Sequence, residues 1–280
     1  MANGLFTDDT QIRRVTREAV ILAGAGYAIL LQVTNPGVGQ GVADHSDFAE
    51  RPLDRLRGTL TFIYGMVFGT TDEAERIARG VRSAHKGVTG PGYDARDPSL
   101  QVWVAATLCE GGIRTYELVF GPMSPREKDD FCAQCAVYAT SLGCPADRWP
   151  ADRAAFERYW ADEVASIEVT DTARSIARAL FDPPQRLIRP AARLQGFLAA
   201  GLLPPRIRDE LGLPWDPARQ RRYDRLVAAV RAVYPRLPMA VRSLPKNAFM
   251  WDIRRRAARS AGNARGTRGA ARRGPSATRN

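Results

Sequence analysis

Residues 17–40 read REAVILAGAGYAILLQVTNPGVGQ, and the fold turns on them. From Ala19 to Leu31 the run is apolar except for Gly24 and Gly26, and the turn before it carries Arg13, Arg14, Arg17 and Glu18. That pattern predicts one long helix over Gln11–Val33, polar at its start and apolar all round later, as in a helix that crosses a core. The run has 13 residues, against about 20 for a bilayer span, so it reads as interior rather than membrane. Asn35-Pro36 stops the helix, and Gly37, Gly39 and Gly41 predict a loop that continues to Phe48.

Downstream the same period recurs. Leu53, Leu56, Leu60, Ile63 and Val67 form one stripe of a helix over Pro52–Gly69. Thr70 and Thr71 before Asp72 and Glu73 open the next helix, which runs to about His85. After a Gly/Pro turn, Asp97-Pro98 opens a helix over Leu100–Phe120 that tolerates Gly111-Gly112. Ser124, with Glu127 three residues on, makes a capping box for a helix ending near Gly143. Further helices follow over Pro150–Ile167 and Asp171–Phe181, then short ones between prolines. No alternating strand run and no fixed-period repeat stands out. The expectation is all-α: an N-terminal extension (1–10), a single helical domain (11–252) and a basic C-terminal tail (253–280).

The chain has 280 residues, 45% of them apolar, enough for a sizeable core. Its net charge is +11, but residues 253–280 hold nine Arg and no acid; removing those nine leaves +2 for residues 1–252. The tail, rich in Arg, Gly, Ala and Ser, cannot offset its ordering entropy by burial, so disorder is expected beyond Ala261. It offers weak contact with nucleic acid or anionic lipid, beside the plainer role of a solubilising end. The start, MANGLFTDDT, has no basic segment followed by an apolar one. A soluble cytoplasmic protein is therefore expected.

Two histidines carry most of the chemical interest. His85 shares a helix face with Ala74, Ile77, Ala78, Val81 and Ala84. It reads either as a buried histidine bonded to a carbonyl or as an axial haem ligand, whose flat macrocycle needs small neighbours. His45 stands between Asp44 and Asp47. It reads as a proton shuttle, as half of a metal pair, or as a solvated turn histidine. Arg55 and Thr59 are four apart and so project from one helix face. Arg55 there asks for an acid such as Asp44, Asp47 or Glu50, or for an oxygen ligand. A non-haem iron or zinc site from two histidines and an acid is weakly specified. Cys132-x-x-Cys135 lies in a helical stretch without a second such pair, which favours buried free thiols, with Cys109 and Cys144, over zinc.

Several segments together resemble the MpaB-type oxygenases and the related latex-clearing proteins. They are REAVILAGAGYAILLQVTNPGVGQGVADHSDF, RPLDRLRGTLTFIYGMVFGT, HKGVTG, YDARDPSLQVWVAATL, LGCPADRWPADRAAFERYW, ELGLPW and PRLPMAVRSLP. The resemblance covers roughly residues 11–250, and it lies in the order of the segments rather than in any one of them. It implies a globin-like helical core holding one haem b, activation of dioxygen, and cleavage of double bonds in an apolar isoprenoid or lipid substrate. It makes His85 the proximal iron ligand and Arg55 and Thr59 the polar distal pair. It places His45 and Asp47 near the cofactor, where an acid manages a proton. The distal lysine of latex-clearing relatives falls at Gly58 here, so a lysine-closed resting state is not expected. An apolar pocket from Leu30, Phe62, Tyr64, Phe68 and Trp103 is expected on the same reading. The alternatives are a haem-binding sensor or carrier without turnover, a non-haem iron oxygenase using His45 and His85, and a helical module that binds nucleic acid through its tail.

Overall fold

The computed structural model describes the backbone of residues 4–45 and 52–271, and side chains for residues 4–45 and 56–259. The elements are α1 (Gln11–Thr16), a 3₁₀ turn (Ala19–Gly24), α2 (Ala25–Thr34), α3 (Pro36–His45), α4 (Pro52–Phe68) and α5 (Thr71–His85). A two-residue hairpin follows, β1 (Thr89–Gly90) against β2 (Tyr93–Asp94), antiparallel with Gly90 opposite Tyr93. Then come α6 (Pro98–Phe120), α7 (Pro125–Cys135), α8 (Val137–Thr140), α9 (Arg153–Ser166), α10 (Asp171–Phe181) and α11 (Arg189–Leu202). The chain closes with α12 (Pro205–Glu210), α13 (Pro217–Val233), α14 (Met239–Arg242) and α15 (Leu244–Ala271). The fold is all-α in a single domain.

Several expected boundaries are corrected: the helix expected to end near Gly143 stops at Cys135 with α8 after it, and α15 continues to Ala271, past the point where disorder was expected. The helix over Gln11–Val33 is three pieces, because Glu18 is extended (φ −76°, ψ 123°). The break places the buried Glu18 carboxylate against Arg242 at 3.5 Å, with the Tyr234 hydroxyl donating to it at 3.2 Å. Satisfying that buried charge offsets the local interruption of the helix. The glycine-rich segment after Asn35 is the helix α3, not a loop. Asn35 Oδ1 accepts from the amides of Gly37 and Val38, and α3 leaves α2 at a bend of 102°. At Gly39 the missing side chain serves contact rather than freedom, since a Cβ there would stand 2.5 Å from the Val33 carbonyl oxygen. A backbone atom cannot swing aside. Gly39→Ala is expected to cost about 1–3 kcal/mol through this overlap, read as a lower urea midpoint; an unchanged midpoint would remove the argument.

The caps at Thr70/Glu73, Asp97 and Ser124/Glu127 all form, as their sequences predict. α6 runs unbroken through Gly111-Gly112. Gly112 is needed there because a Cβ would meet the Phe131 ring at 2.8 Å.

α6 is the spine between two cores. One flank buries Val102, Ala105, Ala106 and Cys109 against α1, α4, α5 and α7. The other sends Trp103 into a second cluster with Tyr27, Leu30, Leu31, Ile176 and Ile207. α2 is buried along its length and is tied to α6 by a buried bond from Gln32 Nε2 to Thr107 Oγ1 at 3.0 Å. A third, smaller cluster of Leu60, Tyr64, Met250 and Ile253 holds α15 on α4. Among the described residues no single helix is long and apolar enough to cross a membrane.

Candidate functional site

α4 and α5 form an antiparallel pair joined by a tight turn at Gly69 and Thr70. Gly65 lets the pair close, since a Cβ there would overlap Ile77 Cδ1 at 2.2 Å. Counting equally from that contact at a common helical rise, the last turn of α5 comes level with the Arg57–Gly58 turn of α4. The first half of α4 thus runs beside the end of α5, and the end of α3 meets the hairpin that follows α5.

His85 is the last residue of α5. It is half-buried, its Nδ1 is closed to solvent, and its carbonyl accepts from the Val88 amide at 3.0 Å. Ala74 and Ala78 of its face pack into the first core, whereas Ala84 is exposed. The imidazole therefore sits at the rim of the core rather than inside it. Level with it, α4 is open. Leu56 is 43% exposed, Thr59 is exposed, and a Cβ on Gly58 would meet nothing within 4 Å. The stripe expected on α4 is buried at Leu60 and Val67 but not at Leu56. An open glycine level with the turn of a half-buried imidazole leaves room there for a flat ligand held through one nitrogen.

His45 is exposed at the end of α3, and its Nε2 lies 3.2 Å from the Thr89 carbonyl oxygen and 3.0 Å from Tyr93 Oη. The Tyr93 hydroxyl spends its own hydrogen on Asp44 Oδ2 at 2.7 Å. Both neighbours of Nε2 are thus acceptors, so Nε2 carries the hydrogen and Nδ1 is the basic atom of the neutral ring. Sequence reasoning missed Tyr93, which is buried over Gly41 and Gly90. The signal was present, as an aromatic residue inside a Gly/Pro turn has little reason to be there unless it packs.

The Tyr93 bond, then the Gln40 bond, hold the Asp44 carboxyl below the usual carboxylate range. A depressed folded pKa contributes stability above the ordinary carboxylate pKa, and this is lost as pH falls through the lowered folded value. Tyr93→Phe is expected to move the Asp44 titration, followed by carboxyl NMR, back up toward the ordinary range. An unmoved titration would mean that Tyr93 does not set it.

The remaining predicted site residues are placed as follows. Thr59 is exposed on α4. Arg55 lies on the backbone of α4, one turn earlier, but its side chain is outside the described residues, as is Asp47 altogether. The expected apolar pocket does not form from the residues named for it. Leu30, Tyr64 and Trp103 are fully buried, and Phe62 is buried in the first core. Trp103 stacks on Trp160 and donates from Nε1 to the Leu31 carbonyl at 3.1 Å. Tyr64 packs on Phe249, and Phe68 lies beneath Arg13 and Lys246. Leu30, Phe62, Tyr64 and Trp103 are packing residues. Among the described residues, no three His, Cys, Asp or Glu stand together as metal ligands.

The thiols are free and buried, as expected. Cys109 and Cys132 approach to 3.6 Å between sulfurs. Burial pushes Cys109 and Cys135 above the ordinary thiol range; Cys132 is pushed up by its bond to Cys109 and by burial. Neutral thiols are poor nucleophiles and poor ligands.

Residues 12–232 match the family described as ER-bound oxygenase mpaB/B'/Rubber oxygenase, catalytic domain. An uncharacterized protein of Mycobacterium bovis and one of Mycobacterium tuberculosis are each 30% identical to this chain over 243 residues, covering 82% of it and 94% of their own length. No solved structure matches the chain.

Proposed function

The chain belongs to the mpaB/rubber oxygenase catalytic-domain family and is an oxidoreductase enzyme, and on that premise we propose a haem b-dependent oxygenase acting on an apolar, unsaturated isoprenoid or lipid. The observation that carries the reading is His85, half-buried at the rim of the core and level with the open Leu56–Thr59 face of α4. His85 is the residue that would hold the haem. When bound, the haem supplies the redox-active iron at which dioxygen is activated.

The chain's own residues then divide the remaining work. Arg55 and Thr59, one helical turn apart on α4, would supply a charged and a neutral hydrogen-bond donor to stabilise negative charge on oxygen. His45 is fixed through Nε2 by the hairpin and keeps Nδ1 to take a proton from an allylic carbon. Asp47, two residues beyond in sequence, is the acid that would receive that proton in turn. Leu56 offers apolar surface to a substrate that has almost nothing to hydrogen-bond.

Oxygen consumption by haem-loaded protein with polyisoprenoid and unsaturated lipid substrates, with mass spectrometry of carbonyl products, tests the reading. Arg55→Ala and Thr59→Ala should each lower turnover, on the order of tenfold to a thousandfold for the arginine, with haem content unchanged. Turnover unaffected by both would remove them from the site. Oxygen binding without product from any unsaturated substrate would instead indicate a carrier.

A further inference from the structure

The C-terminal segment from Val233 to Arg259 carries seven Lys or Arg (236, 242, 246, 254, 255, 256 and 259) and one acid, Asp252. α15 buries Met250 and Ile253 against α4. Its opposite face presents Leu244 and Trp251, two turns apart, at 59% and 61% exposure. Met239 and Val241, on the short helix α14 just before, are exposed as well. An indole, a leucine and two further aliphatic side chains left in water beside a cluster of bases form an apolar patch with a basic rim.

Beside Trp251 opens a pocket of about 540 Å³ lined by one acid, Asp8, and by Arg13, Phe68, Lys246, Arg254 and Arg255 among others. Three of these cations are already engaged. Arg13 pairs with Asp8 and donates to the Val67 carbonyl, Arg254 pairs with Glu73, and Arg255 stacks on Trp251. Lys246 lies over the Phe68 ring at 5.3 Å and, among the described residues, forms no ion pair. Burial and the neighbouring Arg13 hold its ammonium below the usual lysine range. A partly buried cation crowded by like charges gains most from an incoming anion.

We propose that this face docks on an anionic phospholipid surface, with Leu244 and Trp251 entering the acyl boundary and lipid phosphate settling over Lys246 and Arg255. Charge complementarity favours an acidic partner. The aliphatic side chains select among acidic partners, because a bilayer has an apolar layer beneath its phosphates whereas a nucleic acid offers Leu244 nothing to enter. Docking would place α4, on which α15 packs, next to the phase in which an apolar substrate dissolves.

Co-sedimentation of the full-length chain with vesicles tests the proposal without haem or turnover, so its failure leaves the oxygenase reading untouched. Vesicles of equal parts phosphatidylglycerol and phosphatidylcholine should retain the protein at least tenfold better than phosphatidylcholine alone. Leu244→Ser with Trp251→Ser, and separately Lys246→Glu with Arg255→Glu, should each weaken retention at least tenfold. Lipids brominated in the acyl chain should quench a fluorescence component that Trp251→Phe removes. Equal retention on both vesicles would overturn the proposal. So would retention abolished by changing the five arginines after residue 260 to glutamine yet indifferent to the α15 pairs, or retention on duplex DNA and on no vesicle.

Discussion

His85→Ala is expected to yield a colourless, folded protein. When expressed with ample haem precursor, the parent chain should show a Soret band and the variant none, with the far-ultraviolet dichroism of the two superimposable. Both halves follow from the position of the residue. His85 ends α5 at the rim of the core, so its loss removes neither a capping box nor a core contact comparable to Ala74 or Ala78. The thermodynamic effect falls on the ligand rather than the fold. Free imidazole added to the variant should restore part of the band, because the space vacated by the side chain readmits the same ligand. A variant that keeps its full band, or that unfolds, would transfer the role elsewhere or show it to be structural.

Trp103→Ala is expected to cost about 3–5 kcal/mol, read as a fall in the urea midpoint with the slope preserved. The indole is fully buried, stacks on Trp160 at 5.6 Å, and uses its only donor on the Leu31 carbonyl. Removing it leaves a cavity between α2, α6 and α9, while the Leu31 carbonyl keeps the Thr34 hydroxyl as donor at 2.7 Å. The same substitution separates two roles for this residue. A pocket-lining tryptophan would change KM more than stability, whereas a packing one would change stability first. A midpoint shift below about 1 kcal/mol with a large change in KM would return Trp103 to the substrate site.

The helical class was legible because its signals are local. Thr70/Glu73, Asp97-Pro98 and Ser124/Glu127 each cap a helix within four residues, and each forms as read. One misread boundary depends on partners far along the chain, another on a close backbone approach that periodicity does not carry. Glu18 leaves the helix to meet Tyr234 and Arg242, more than 200 residues away, and no window of neighbouring residues contains that pairing. Gly39 looked like loop freedom, although its small size serves a helix crossing at Val33. The site was legible to a similar degree. The histidines could be picked out by type and setting, and the fold places one at the end of α5 and the other against the hairpin that follows it. The hydrogen-bond chain from His45 through Tyr93 to Asp44 crosses from α3 to the hairpin, and pairing between separate elements is what periodicity does not carry. The aromatic residues first read as pocket lining illustrate the reverse: their type suited a lipid site equally well, and only packing decides.

The central claim is that the His85 imidazole is the protein ligand to a haem iron. Pulsed electron paramagnetic resonance of the ferric protein, haem-loaded and labelled with ¹⁵N at histidine alone, reads it most directly. The account predicts hyperfine coupling from one axial histidine nitrogen, absent in His85→Ala and intact in His45→Ala. Coupling that survives the first substitution and vanishes with the second would contradict it.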